Sequence, residues 1–320
     1  MKYVERVKNK IKLVGAKQTN HLVIQKFYRY FVLNVLMAFT KKNKLMKTQH
    51  NFLKTYRYVK IKYKKALDRM PKYEGTNEFS NKVWWCWFQG VENAPDIQKV
   101  CLKSLQEQFK DTDREIVIIT ENNMFDYVEF PDYILEKYKK GIISRTHLSD
   151  LLRLELLIKY GGTWIDSTTY CTSYQKDFFD IPLFMYKDIK RQNDTILADN
   201  WFITSEKNNP LLRTVRDLLY LYWKQHNYLV DYFIFHLFFT LAVKEKYFQN
   251  YVNIPGYSNT PALMLNYELL SKYRPERFEQ LTKMSSFHKL THKLDFSQKK
   301  EFSNYDYLVS QLNLPDKNEN

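Results

Sequence analysis

Ser149-Asp150-Leu-Leu-Arg153-Leu-Glu-Leu-Leu-Ile-Lys-Tyr160-Gly161-Gly162-Thr163-Trp164-Ile165-Asp166-Ser167-Thr168 is the stretch that decides how this chain folds. Its apolar residues recur at helical spacing and predict a helix over 146–160. The glycine pair stops that helix, because glycine takes up the backbone of a helix end at little cost. Residues 163–165 then read as a short strand ending on Asp166. Asp150 and Arg153 lie three apart, so both side chains emerge from one face of an otherwise apolar helix. On spacing alone, a surface ion pair explains them as readily as a binding role does. Asp166 is different, because it puts a carboxylate at the C-terminal edge of a strand, where open α/β sheets bind ligands.

Outward from that stretch the pattern alternates. Residues 82–88 read as a first strand, and Asn93 is expected to cap a helix that carries Pro95 in its first turn and runs to 109. The apolar run 115–120 has the character of a buried parallel strand, and 131–139 of a short helix. Further strands are expected at 183–186 and 201–204, and helices at 210–223 and 228–246. Strand and helix in alternation predict an α/β sheet domain. Pro71 and Gly75 break the preceding pattern, so we expect a basic helical segment over 1–75, a sheet domain with a helix-rich C-terminal part over 76–295, and a tail over 296–320.

Composition narrows the chemistry. Of 320 residues only seven are glycine, and no placement of them makes G-x-G-x-x-G or G-x-x-x-x-G-K-[ST], which excludes a Rossmann dehydrogenase or a P-loop kinase. Cys86, Cys101 and Cys171 form neither a disulfide framework nor a zinc knuckle and suit a reducing cytoplasm.

The net charge of +15 is unevenly spread: residues 1–72 hold 20 lysines and arginines against 2 acids, and the remainder 30 against 33. Within that basic segment, residues 22–39 are apolar and aromatic, followed by Lys41, Lys42, Lys44 and Lys47. Such a segment can lie in the interface of an anionic membrane, each lysine near the surface adding about 1 kcal/mol. The alternative is a helix packed on the main domain. No cleavable signal peptide is expected, since the chain is lysine-rich and polar as far as residue 21, and 31–39 is too short to cross a bilayer. These features predict a cytoplasmic protein held peripherally at the inner face of the cell membrane. No nucleic-acid reader motif accompanies the basic charge, so nucleic acid is not an expected partner.

The run S-D-x-x-R, an apolar helix, G-G, an aromatic and D at a strand end resembles the capsular polysaccharide synthesis glycosyltransferases, relatives of the DxD sugar transferases. Trp84-Trp-Cys-Trp-Phe-Gln-Gly90, Ile142-Ile-Ser-Arg-Thr-His147, Asn200-Trp201-Phe202 and Phe287-His288-Lys289-Leu290-Thr291 fit the same family, over most of 80–295. The resemblance implies a GT-A-like nucleotide-sugar-binding fold. It also implies retaining transfer from a nucleoside diphosphate sugar, a UDP-sugar first, to a growing lipid-linked capsular or exopolysaccharide acceptor. Trp87 would stack on the nucleobase with Gln89 beside it, Asp150 would hold sugar or ribose hydroxyls, and Arg153 would approach the donor sugar or diphosphate. Asp166 would be the first acid of the D-x-D, and with Asp150 and Arg153 would make up the catalytic set. Lys289 would contact the diphosphate from a closing element, and Asn200 and Asp231 would meet acceptor or sugar. The resemblance further implies a divalent cation, Mn²⁺ or Mg²⁺, at Asp166 and Thr168. Here the chain departs from the pattern: Thr168 stands in place of the second acid, and a hydroxyl is a far weaker ligand for a hard cation than a carboxylate. A nucleotidyl or phospho-sugar transferase using the same acids, and a non-enzymatic basic protein of membrane surfaces or nucleic acid, are the competing readings.

Overall fold

The computed structural model describes residues 44–188, 195–252, 254–299 and 301–313. The apolar segment 22–39 and the lysines at 41 and 42 lie outside the described residues. The architecture is mixed α/β, as expected. A helix, α1 (Lys44–Arg69), precedes strand β1 (Lys82–Cys86), helix α2 (Asp96–Phe109) and strand β2 (Glu115–Ile119). Helices α3 (Asp132–Lys139) and α4 (Arg145–Tyr160) follow, then strands β3 (Gly162–Ile165), β4 (Thr169–Cys171), β5 (Leu183–Lys187) and β6 (Ala198–Ser205). Helices α5 (Pro210–Gln225), α6 (Ile234–Glu245) and α7 (Asn259–Tyr267) lead to the last strand, β7 (Phe287–Lys289).

Five strands form one sheet in the order β2-β1-β3-β6-β5. β1 runs parallel to both β2 and β3, whereas β6 is antiparallel to β3 and β5. β4 and β7 make a separate antiparallel pair, with Thr169 opposite Lys289 and Cys171 opposite Phe287. Successive residues of a strand face opposite sides, so Trp84 enters the core beneath α4, α5 and α6 while Trp85 enters the other core with Phe202 and Phe287. Burial on both faces is what turns β1 and β3 into continuous apolar runs rather than alternating ones.

The turn from α4 into β3 depends on its glycines. Gly161 (φ 70°) donates its N–H to Leu157 O at 2.8 Å, and Gly162 (φ 90°) lies so close to β1 that a Cβ there would collide with the carbonyl oxygen of Lys82. Trp84 Nε1 donates to Gly161 O at 2.9 Å and ties the same corner to β1. Asn93 does not cap α2. Pro95 holds the cap position, and Asn93 sits in the preceding turn with its amide donating to Gln89 O at 2.9 Å.

The described parts of the two outer segments are packed into the body. Val59, Tyr63 and Leu67 of α1 are buried in the main core, and Tyr63 meets Phe238 of α6 edge-on at 5.0 Å. Lys60 and Lys64 of α1 both reach Glu245 of α6. The break near residue 75 therefore separates two lengths of chain around one core. Likewise Leu308, in the helix Asn304–Ser310, is buried with Val100 of α2 and Leu265 of α7. All three cysteines are free and buried, and among the described residues no helix is long and apolar enough to cross a membrane.

Candidate active site

β1 and β3 point their C-terminal ends the same way, and each hands the chain to a side chain the sequence singles out. Trp87 follows β1, its backbone N–H still bonded to Ile119 O at 3.1 Å, and Asp166 follows β3, its N–H bonded to Trp201 O at 2.8 Å. Between them opens a cavity of about 360 Å³. Its walls include Trp87, Gln89, Arg153, Asp166, Thr168 and Lys289, residues from four separate stretches of sequence. Its position at the C-terminal edge of parallel strands is where α/β sheets hold ligands. Helix α4 lays its first turns along the same cavity, contributing Arg145, Thr146 and Ser149, with Ser144 capping its N-terminus by accepting from the His147 N–H.

Asp166 is the centre of the charge arrangement. Its Oδ2 lies 2.7 Å from Lys289 Nζ, and its Oδ1 lies 3.3 Å from Arg153 Nη1 and accepts from Trp164 Nε1 at 2.8 Å. Burial alone would raise its pKa, yet the Lys289 and Arg153 charges outweigh burial and hold the carboxyl below its ordinary range. Arg153 is itself buried, stacked over the Trp164 ring at 4.8 Å and bonded through Nε to Ser149 O and through Nη1 to Asn200 O.

Asp150 and Asn200 form a layer behind the cavity wall rather than part of it. Asn200 Nδ2 donates to Asp150 Oδ1 at 2.9 Å, the same oxygen lies 3.3 Å from Arg153 Nη2, and Asp150 Oδ2 is 3.4 Å from His147 Nδ1. Neither side chain lines the cavity in the described structure: Asp150 touches Arg153, which does, and the Asn200 side chain is held by Asp150. Asp231 is also placed elsewhere. Helix α6 begins at Ile234, not at 228, and the Asp231 carboxylate is taken up by the N–H of Phe233 and the Thr55 hydroxyl of α1. Its neighbour Tyr232 lines the cavity instead. Trp201 is a core residue, stacked on Tyr186 at 4.6 Å.

Within 287–291, only Phe287–Lys289 is strand, paired with β4. His288 is buried beside Thr282 O, while His292 lines the cavity with its ring 5.8 Å from that of Trp87. The two histidines share no face. Trp87 carries a buried indole N–H with no hydrogen-bond partner in the described structure. Such a donor is costly unless something accepts from it.

The residues present do not fit a divalent cation. Lys289 Nζ is 2.7 Å from Asp166 Oδ2 and 2.7 Å from Thr168 Oγ1, so an ammonium occupies the space between the two oxygens a metal would use. Among the described residues no group of three or more His, Cys, Asp or Glu side chains could hold a metal ion. Sequence reasoning missed Tyr232, Arg145 and Lys293 as lining residues. Nothing in their spacing signals the cavity, since Tyr232 reaches it from a loop before α6 and Lys293 from beyond β7.

Comparison with known proteins gives one strong match. The family model described as capsular polysaccharide synthesis protein matches residues 25–308. No curated protein matches the chain. Among solved structures, PaToxG glycosyltransferase is 14% identical with a TM-score of 0.35, covering 82% of this chain and 96% of its own. Galactosyltransferase LgtC, solved with donor and acceptor sugar analogues, is 11% identical with a TM-score of 0.40, covering 74% of this chain and 98% of its own. Likenesses at that level carry no weight for the site.

Proposed function

The chain belongs to the capsular polysaccharide synthesis protein family, and from that premise we propose that it is a glycosyltransferase taking its sugar from a nucleoside diphosphate donor. The observation that carries the reading is the composition of the cavity. Arg145, Arg153, Lys289 and Lys293 line it against the single carboxylate of Asp166, with Trp87 at one end. A cationic wall beside an aromatic face suits a diphosphate joined to a base.

In the proposed reaction the bond from sugar C1 to the diphosphate oxygen breaks, and its electron pair leaves on that oxygen. The acceptor hydroxyl oxygen bonds C1, and its proton passes to the departing diphosphate. Arg153 and Lys289 meet the negative charge that develops on the leaving group. Retention of the anomeric configuration is part of the proposal. Inversion calls for a carboxylate free to take the acceptor proton, whereas Asp166, the one carboxylate lining the cavity among the described residues, is already paired with two cations. The donor is first sought among UDP-sugars and the acceptor among lipid-linked capsular or exopolysaccharide units. The basic segment before α1 would hold the enzyme at the inner membrane face beside such an acceptor.

Incubating the full chain with a panel of nucleotide sugars tests the activity. The expected products are a free nucleoside diphosphate without pyrophosphate or monophosphate, and loss of that release in Asp166→Ala. Pyrophosphate or monophosphate as the product would instead mark a nucleotidyl or phospho-sugar transferase. Removing residues 1–43, and stopping short of the helix that packs in the core, should abolish binding to anionic vesicles. Unchanged vesicle binding would refute the membrane role.

A further inference from the structure

We propose that Lys289 takes the place of the divalent cation at Asp166-Ser167-Thr168, so that the cavity receives a diphosphate on side-chain cations alone. The inference rests on the donor reading above and specifies how that donor is held. Three observations carry it. First, the ammonium bridges the first and third residues of the motif at 2.7 Å to each. A hard cation bound to those same oxygens would sit at roughly 2.0–2.6 Å from them, in the space Nζ fills, and would face a like charge.

Second, the motif lacks a second negative charge to attract a metal. Thr168 contributes a neutral hydroxyl, and the lone carboxylate, Asp166, is already shared between Lys289 and Arg153. Third, the lysine is placed by backbone register. Thr169 pairs with Lys289, the Leu290 N–H bonds to Thr168 O at 2.8 Å, and Phe287 two residues earlier is fully buried. A slip of one residue would turn Lys289 away from the motif and expose Phe287, so the burial of Phe287 secures the lysine's position. An ammonium has three donors. Asp166 and Thr168 take two, which leaves one for a ligand in the cavity that Lys289 lines.

The arrangement explains why a threonine is tolerated in the third position. A lysine needs one carboxylate and one neutral acceptor, whereas a divalent ion favours more oxygen ligands and more negative charge. Lys289 and Arg153 then do together, as fixed charges, what an exchangeable ion does where both acids are present.

The test uses the full chain and two probes. Inorganic pyrophosphate is titrated calorimetrically in EDTA and again in Mn²⁺, and Mn²⁺ alone is titrated by electron paramagnetic resonance. We expect pyrophosphate to bind in EDTA and Mn²⁺ to remain free. Lys289→Gln, which keeps a hydrogen-bonding side chain without its charge, should weaken pyrophosphate in EDTA by roughly 10- to 100-fold, the loss of one charge-assisted bond. The pair Thr168→Asp with Lys289→Ala should gain Mn²⁺ binding that the wild type lacks. Stoichiometric Mn²⁺ on the wild type would overturn the proposal, as would pyrophosphate binding only with the metal or not at all. Nucleoside diphosphate release from nucleotide sugars is measured alongside. Release that vanishes in EDTA and returns with Mn²⁺ overturns the lysine's role and leaves the transferase standing. Absence of release in both media, with pyrophosphate held and Mn²⁺ ignored, removes the transferase and leaves the lysine's role standing.

Discussion

Replacing Asp150 by alanine tests whether the layer behind the cavity acts through Arg153. Asp150 is 7% exposed, so solvent screens it little. Its removal takes the partner from Asn200 Nδ2 at 2.9 Å and leaves the buried Arg153 guanidinium with one carboxylate where it had two. Breaking a buried pair by removing one partner costs about 3–5 kcal/mol, and since Asp166 still faces Arg153 the lower end applies, about 3 kcal/mol. In a chain of 320 residues that lowers Tm by about 4–5 °C. Asp150→Asn keeps an acceptor for Asn200 and loses only the charge, so its cost should be about 1 kcal/mol.

Urea unfolding followed by tryptophan fluorescence gives both values, with an unchanged dependence on denaturant showing that the unfolded state is not altered. A cycle with Asn200→Ala should show a coupling of roughly 0.5–3 kcal/mol. Pyrophosphate affinity should fall in Asp150→Ala and be largely kept in Asp150→Asn, because the guanidinium stays in place. If Asp150→Ala unfolds within about 0.5 kcal/mol of wild type, the range of an inert surface change, the supporting layer does not exist and Asp150 must meet ligand directly.

Trp87→Ala should weaken a nucleoside diphosphate by about 1–3 kcal/mol, the usual worth of a base stacked on an aromatic ring, and leave inorganic pyrophosphate unaffected in calorimetry. Gly162→Ala should give insoluble protein, since its Cβ meets the Lys82 carbonyl, whereas Gly141→Ala, at φ 69° with open space around it, should fold and lose only about 1–2 kcal/mol in urea. Leu67→Ala should cost about 2–5 kcal/mol, as for any fully buried leucine; a loss under 0.5 kcal/mol would mean α1 is an appendage. Burial lowers the His288 pKa to about 4, against an ordinary value of 6.5. The unfolded chain therefore takes up that proton first, so stability is full above pH 6.5 and falls by about 3 kcal/mol as pH drops towards 4. Comparing urea midpoints at pH 7 and pH 4.5 should show a smaller drop for His288→Gln than for wild type.

Much of the fold was legible because it rests on local patterning. Apolar runs bounded by polar residues marked β1, β2 and β3, and the glycine pair marked the turn between α4 and β3, all within a residue or two of where they lie. The start of α6 was misplaced because Tyr228 and the aromatics after it fit a helix in composition, yet the Asp231 carboxylate engages the N–H of Phe233 and holds that stretch outside the helix.

The strongest part of the family resemblance lies within one continuous stretch, where spacing along a helix and a strand is itself geometry. The α/β class, the break after the basic segment, the approach of Asp166 to a sheet edge and the absence of a second acid at Thr168 all follow from order along the chain. Which side chains meet is another matter. Lys289 stands 123 residues from Asp166, and they join because β7 pairs with β4 in a single register. Asp150 lies on the same stretch as Arg153, yet its carboxylate also meets Asn200, a residue of β6. Local sequence specifies backbone conformation through short-range sterics and periodic burial, while the charge that faces Asp166 depends on how distant strands align, and that alignment exists only once the core has formed.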